Sequence, residues 1–395
     1  MTVLKTTATA PHILILRGGA LGDFILTLPA IRALRQHWPL ATIELIGHPR
    51  MAELAVVAGL INRVRSLDAS GMAEWFVPRR VWPERERADI VSFDLILSYL
   101  GDTDGVVQAN LRAAGAKRVI ACSPIVASGH AADHFLQPVI ELGGGAATMP
   151  FSRTASTTHG VVAVRQNRDA DPLILWPASL QEQGRRWLEQ LGLAGNVIGL
   201  HPGSGSFRKN WPVEKFVLLA ECIRQSKLAQ PLFILGEADA AAAQALPRLT
   251  PAVPVLTNRT LKEVASILAV SRGYVGNDSG ITHLAAALGI PVVALFGPTD
   301  AAMWGPRGTN AVILQGREPT SEAPHGKPRG NLLRRSSLGY SGRVFAEPCE
   351  ARNAIPPCGK PQGFLAKKGE ALAAIAPDAV LQALERLIAD AEPRH

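Results

Sequence analysis

The segment Gly276-Asn277-Asp278-Ser279-Gly280-Ile281-Thr282-His283 constrains the fold of this chain more than any other stretch. It follows a short strand-forming run at 273–275 and leads directly into the Ala-rich Leu284-Ala285-Ala286-Ala287-Leu288. Asn, Asp, Ser and Gly are turn formers, so the reading is strand, turn, helix. The next apolar stretch, Pro291-Val292-Val293-Ala294-Leu295-Phe296, is unbroken rather than alternating. Strands buried on both faces read this way, which calls for a parallel sheet covered by helices. A turn of this kind also gathers the free N–H groups of a helix N-terminus at one spot, a site prepared for a phosphate or another anion.

The same unit recurs along the chain. Residues 12–16 form an apolar β-run, Arg17-Gly18-Gly19-Ala20-Leu21-Gly22 a turn, and 23–37 a helix with Ile25, Leu28, Ile31 and Leu34 on one side. A strand at 42–46 closes a βαβ unit, and further strands are expected at 64–67, 95–98 and 119–121. Residues 143–171, rich in Gly, Ser and Thr, are expected to hold the inter-domain region. A helix at 181–191 then opens a second series, with strands at 197–200, 232–235, 253–256, 273–275 and 292–296. Alternating strands and helices predict α/β, doubly wound domains, and 395 residues suffice for two cores. The expected division is an N-terminal domain over 1–165, a C-terminal domain over 171–376 and a final helix within 377–395. That helix shows Val380, Leu381, Leu384, Leu387 and Ile388 on one stripe. Residues 316–370 break the pattern, and a loop of that length is either functional or disordered.

Three segments carry chemistry. In the first, Gly18, Gly19 and Gly22 let a ligand approach the backbone, and Asp23 stands at the mouth of the turn. The spacing is not the dinucleotide fingerprint, so a nicotinamide-dependent dehydrogenase is disfavoured, and Asp23 could equally serve as a helix cap. The second is His201-Pro202-Gly203-Ser204-Gly205-Ser206-Phe207-Arg208-Lys209-Asn210-Trp211-Pro212. Its Gly and Ser residues offer N–H and O–H donors while Arg208 and Lys209 offer charge, a combination suited to a diphosphate. The third is the opening segment. Its bland reading makes Asp278 the N-cap and packs His283 in the first helical turn; a capped helix start and an anion site are compatible.

Together these segments resemble glycosyltransferase family 9, the ADP-heptose:lipopolysaccharide heptosyltransferases. The likeness lies in ILILRGGALGDFILTLPAIRALR, HPGSGSFRKNWP and GNDSGITHLAAALGIPVVALFGPTD, in that order, across roughly residues 12 to 315. It implies a GT-B architecture: two Rossmann-like domains face each other across a cleft, and the last helix packs back on the first domain. It further implies an inverting transfer, without a required metal ion or cofactor, from a nucleotide sugar such as ADP-heptose. Asp23 would be the general base. Lys209 would contact the donor phosphates, with Ser204, Gly205, Ser206, Asp278, Ser279, Gly280 and His283 lining the donor site. Glu237 falls in a nucleoside-contact region, and Gly18, Gly19 and Gly22 form the acceptor-side loop. The long basic stretch before the last helix departs from the family pattern.

The formal charge of +8 favours anionic partners. Residues 316–370 hold ten Lys/Arg against five Glu, so they carry +5 of it. The rest is nearly balanced and lacks a nucleic-acid motif, so no nucleic-acid partner is expected. The expected partners are the nucleotide sugar and an anionic glycan or glycolipid acceptor of the lipopolysaccharide-core type. Cys122, Cys222, Cys349 and Cys358 form no disulfide framework. Without a signal peptide or a long apolar run, the chain is expected in the cytoplasm, with contact to the inner membrane face as a further expectation. Two other readings remain: a nucleotide-sugar epimerase or hydrolase of the same fold, and a glycan-binding protein without activity.

Overall fold

A computed structural model describes residues 10–68, 71–143, 153–158, 161–166, 171–193, 195–237, 239–308, 310–316 and 371–391. The first domain alternates β1 (His12–Leu16), α1 (Leu21–His37), β2 (Thr42–Gly47), α2 (Pro49–Val57), β3 (Arg63–Ser66), α3 (Glu84–Ser92), β4 (Leu95–Ser98), α4 (Val106–Ala113), β5 (Val119–Ala121) and α5 (Ala131–Glu141). Its five strands are all parallel, in the order β3-β2-β1-β4-β5.

A hairpin follows, β6 (Arg153–Thr158) and β7 (Val161–Gln166). The second domain then runs α6 (Ala178–Gln190), β8 (Val197–His201), α7 (Val213–Gln225), β9 (Gln230–Ile234), α8 (Ala240–Leu249), β10 (Val255–Leu256), α9 (Leu261–Leu268), β11 (Gly273–Asn277), α10 (Gly280–Ala287), β12 (Val292–Phe296), α11 (Ala301–Trp304), β13 (Ala311–Gly316) and α12 (Pro377–Ala391). Its sheet has the order β10-β9-β8-β11-β12-β13-β7-β6, with β10 to β13 parallel and the hairpin added antiparallel at one edge. Both domains are doubly wound, as the unbroken apolar runs predicted: β1, β8, β11 and β12 are buried along nearly their whole lengths.

Two expectations need correcting. Residues 153–166 do not close the first domain; β7 pairs with β13 from Arg165 opposite Val312 to Val161 opposite Gly316. The sheets therefore divide before residue 153, and the Gly- and Thr-rich composition hid an edge hairpin. Nor does α12 pack back on the first domain. Val380, Leu384, Leu387 and Ile388 enter a core with Ile198, Phe216, Leu219 and Ile223, all of the second domain. The approach to α12 fixes this course. The carbonyl of Ile375 accepts Trp211 Nε1–H at 3.1 Å and Lys215 Nζ–H at 2.9 Å, pinning the chain to α7 before the helix begins. The basic segment, with Cys349 and Cys358, lies outside the described residues apart from Gly316.

The two domains share one apolar cluster. It runs from Ile13, Ile15 and Leu28 through the α1–α10 contact to Leu284, Ala285 and Val292. Polar bridges reinforce the junction: Arg32 Nη1 donates to the Pro172 carbonyl at 2.8 Å, and His130 Nε2 lies 2.9 Å from the Gly305 carbonyl. Arg307 pairs with Asp133, and Lys262 with Glu53. None of the helices among the described residues is long and apolar enough to cross a membrane.

Candidate active site

In an open parallel sheet, a crevice forms where the strand order reverses, outside the carboxyl ends of the strands. The first sheet reverses between β1 and β4, and the second between β8 and β11. The three sequence segments are the loops that leave β1, β8 and β11. Each therefore stands at a reversal point, and the contact between α1 and α10 brings the two crevices together.

The junction depends on glycines. A Cβ on Gly280 would lie 2.6 Å from Leu21 Cβ, and one on Gly22 would lie 3.3 Å from His283 Cδ2. Any side chain at Gly280 would drive the first turns of α1 and α10 apart. Gly19 adopts φ +91°, and a Cβ there would meet Asp23 Oδ2 at 2.9 Å, so this position needs glycine for two reasons.

Asp23 is the third residue of α1, not its cap; Ala20 occupies the cap position. The carboxylate reaches back so that Oδ2 accepts the Ala20 N–H at 3.1 Å, while Oδ1 has no hydrogen-bond partner among the described residues. Beneath it, the buried Arg17 donates from Nη2 to the Asp23 carbonyl at 2.9 Å and lies 4.6 Å over the Phe135 ring. Burial lowers the guanidinium pKa, partly offset by Asp23. One carboxylate oxygen of Asp23 thus serves the start of α1, and the other is left without a partner among the described residues.

On the other wall, Lys209 Nζ stands 2.8 Å from Asp278 Oδ2. The approach is off the hydrogen-bonding direction, so this buried oxygen has a charge partner but no aligned donor. Lys209 closes a single 3₁₀ turn, Phe207–Lys209, and remains about a third exposed. Ser204 Oγ lies 2.7 Å from the Ser206 carbonyl and 2.5 Å from Asn210 Oδ1, so its hydroxyl shapes the loop rather than facing the cleft. Ser206 turns its N–H onto Ser204 Oγ at 3.2 Å, and Gly205 opens to free space.

Ser279, not Asp278, is the N-cap of α10, accepting the Thr282 N–H. The Asp278 N–H is instead spent on the Leu295 carbonyl at 3.0 Å, which frees its carboxylate to face Lys209. His283 is buried in the first turn of α10, and Nδ1 has no partner. Burial pulls its pKa from 6.5 down to about 4, opposed by Asp278 and Asp23 and assisted by Lys209. One imidazole thus senses all three charged groups of the site, and at neutral pH it carries no charge.

Glu237 stands outside this cluster. It lies in the loop after β9, one strand outward, largely exposed, with Oε1 3.3 Å from Arg50 Nη1 of the first domain. Among the described residues no group of three His, Cys, Asp or Glu side chains is placed to hold a metal ion. A cavity of about 180 Å³ opens beyond β2 and β3, lined by Ile46, Arg65, Met72, Trp75 and Asp89, and no site residue borders it.

Sequence reading missed Asn277. It is fully buried at the end of β11 and hydrogen-bonds both ends of the Lys209 loop. A buried Asn in a strand-to-turn position was visible as a turn former; its partners, 66 and 75 residues away, were not.

Residues 170–330 match the profile of Glycosyltransferase family 9 (heptosyltransferase). Lipopolysaccharide heptosyltransferase 1 of Pseudomonas aeruginosa is 28% identical over 322 residues, covering 77% of this chain and 83% of that protein. A family 9 glycosyl transferase from Veillonella parvula has a similar fold, with a TM-score of 0.66 at 18% identity, covering 97% of this chain and 98% of that one. A heptosyltransferase of E. coli solved with ADP aligns with a TM-score of 0.52 at 18% identity, over 78% and 93% of the two chains. With its two parallel-sheet domains meeting at their reversal points, the chain has the GT-B fold, and it is similar to the heptosyltransferases of glycosyltransferase family 9.

Proposed function

We propose that the protein transfers a heptose-like sugar from an ADP-sugar to a lipopolysaccharide-core or related anionic glycan, with inversion at the anomeric carbon and without a metal ion. The observation that carries this reading is the convergence of a carboxylate from one domain and a lysine from the other beside one buried imidazole. The match to lipopolysaccharide heptosyltransferase 1 supports the sugar and the acceptor class. The ADP held by the E. coli relative supports the nucleotide.

In the proposed reaction, Asp23 Oδ1 takes the proton of the acceptor hydroxyl. The acceptor oxygen bonds to the anomeric carbon as the bond from that carbon to the β-phosphate oxygen breaks. Attack opposite the leaving group inverts the configuration. Negative charge grows on the departing diphosphate, where Lys209 and the N–H groups opening α10 stabilise it. Asp278 holds Lys209 at the cleft, and His283, uncharged at neutral pH, lies buried behind the two charged walls. The acceptor is bound from the side of the first domain, past Gly18 and Gly19. The protein acts in the cytoplasm, at the inner face of the membrane.

The test is a transfer assay with ADP-heptose and a deacylated lipopolysaccharide-core acceptor, with the new linkage read by NMR. An anomeric configuration opposite to the donor's is expected. Retention would overturn the displacement, and donor turnover at the same rate without acceptor would favour a hydrolase or epimerase.

A further inference from the structure

One side chain ties both ends of the donor loop to the end of β11. Asn277 is 0% exposed. Its Nδ2–H donates to the Pro202 carbonyl at 2.7 Å, at the start of the loop. Its Oδ1 accepts the Trp211 N–H at 2.9 Å, at the end of the loop. Between those anchors lie Ser204, Gly205, Ser206 and Lys209. The same residue also reaches the opposite part of the anion site through its backbone. Its carbonyl accepts Thr282 Oγ1–H at 2.5 Å, and that hydroxyl lies 3.1 Å from both Ser279 Oγ and Tyr274 OH. The cap of α10 and the loop carrying Lys209 are therefore referenced to a single residue.

From this we infer that Asn277 is a positioning residue for donor binding, setting the Lys209 loop against the first turn of α10. An Asn is required because one end of the loop presents an acceptor and the other a donor, and the amide supplies the complement of each. An aspartate has the same shape but, when ionised, accepts only; it loses the bond to Pro202 and sets a charge against that carbonyl. When protonated, its O–H and C=O reproduce both bonds. Burial raises the pKa of such a carboxyl, so mild acid restores it.

This inference rests on the proposed donor site, and the experiment separates the two. ADP binding is measured by calorimetry at pH 8 and pH 5.5 for the wild type, Asn277→Asp, Asn277→Ala and Ser266→Ala, with melting temperatures alongside. Ser266 is a control: it is equally buried and accepts Trp176 Nε1–H at 3.1 Å, on α9 and away from the loop. Asn277→Asp is expected to bind ADP about tenfold or more weakly at pH 8, with its deficit relative to wild type shrinking at pH 5.5. Asn277→Ala should be weak at both. In the transfer assay the donor KM should rise while the acceptor KM stays within about twofold. Ser266→Ala should lower the melting temperature and leave ADP affinity intact. ADP affinities of the Asn277 variants within twofold of wild type, or losses that Ser266→Ala shares in step with its melting temperature, would overturn the inference. If the wild type binds none of ADP, GDP or UDP, the donor-site reading fails and the inference with it. Should Asn277→Ala not fold, Asn277→Asp across the two pH values carries the test alone.

Discussion

The loops after β1 and β8 occupy equivalent places in their sheets, yet they are built on opposite plans. The first is a tight turn of four residues, 17–20, whose only cation, Arg17, is turned inward beneath the helix start. What it presents to the cleft is a carboxylate, half committed to its own backbone. The second is long, internally cross-linked by Ser204 and Asn210, spanned by Asn277, and presents a lysine. A base and a phosphate-binding cation on one flexible loop would neutralise each other. In the proposed reaction the base stands on α1 of the first domain and the cation on the loop after β8 of the second. On the proposed reading neither domain holds a complete site, and its geometry depends on the contact of Gly22 with His283 and Gly280 with Leu21.

The sharpest way to break that division of labour is to remove each charge and ask which step suffers. Asp23→Asn is expected to slow transfer by about 10²–10⁴-fold, the usual worth of a general base, while ADP affinity by calorimetry stays within about twofold. Lys209→Ala should do the reverse in kind: ADP binding weakens about 10–100-fold, as expected for charge-assisted contacts to phosphate. It also leaves Asp278 buried without its charge partner. If both variants lose donor affinity alike, the two loops do not divide the roles, and Asp23 acts by shaping the donor site.

How far this arrangement could be read from the sequence follows from where its causes lie. Unbroken apolar runs announced β1, β4 and β12 within a residue, because burial on both faces leaves a local mark. The three loops were legible for the same reason: turn formers, donors and charge stand together in the chain. Position in space was not. Residues 153–158, with Ala155 the only apolar residue, form the edge strand β6, so no local apolar pattern announced the hairpin. The stripe on α12 said that one face is buried without saying against what; that was decided by Trp211 and Lys215, some 160 residues earlier. Asn277 belongs to the same class, since its role is set by two partners outside its own segment.

His283 offers a smaller but cleaner comparison, because its charge state reports on the closed junction. Burial disfavours the imidazolium in the folded protein, with a pKa near 4 against 6.5 unfolded. The unfolded chain therefore binds the proton first as pH falls. The stability contributed by neutral His283 is complete above about pH 6.5 and is lost as pH falls towards 4. His201, buried beside Asp239, shifts in the same direction. Urea unfolding at pH 7 and pH 4.5 should show His283→Gln retaining a shallower acid loss than wild type, by on the order of 2 kcal/mol. An unchanged pH dependence would mean that the imidazole is solvated, and that the α1–α10 contact opens in solution.

Arg50 and Glu237 form a further link between the domains, a pair exposed on both sides. Exposed ion pairs contribute at most about 1 kcal/mol, so as a clasp it matters little. Glu237 nevertheless follows β9, the strand beside β8. A nucleotide with its diphosphate over Lys209 would extend its ribose along that edge. If Glu237 accepts a ribose hydroxyl, Glu237→Ala should weaken ADP binding about three- to tenfold, the worth of one hydrogen bond, and Arg50→Ala should leave it within twofold. If the pair acts only as a clasp, both variants should shift ADP affinity equally and only slightly. Unequal effects would assign the outer end of the donor site to the second domain alone and leave the first domain to the acceptor.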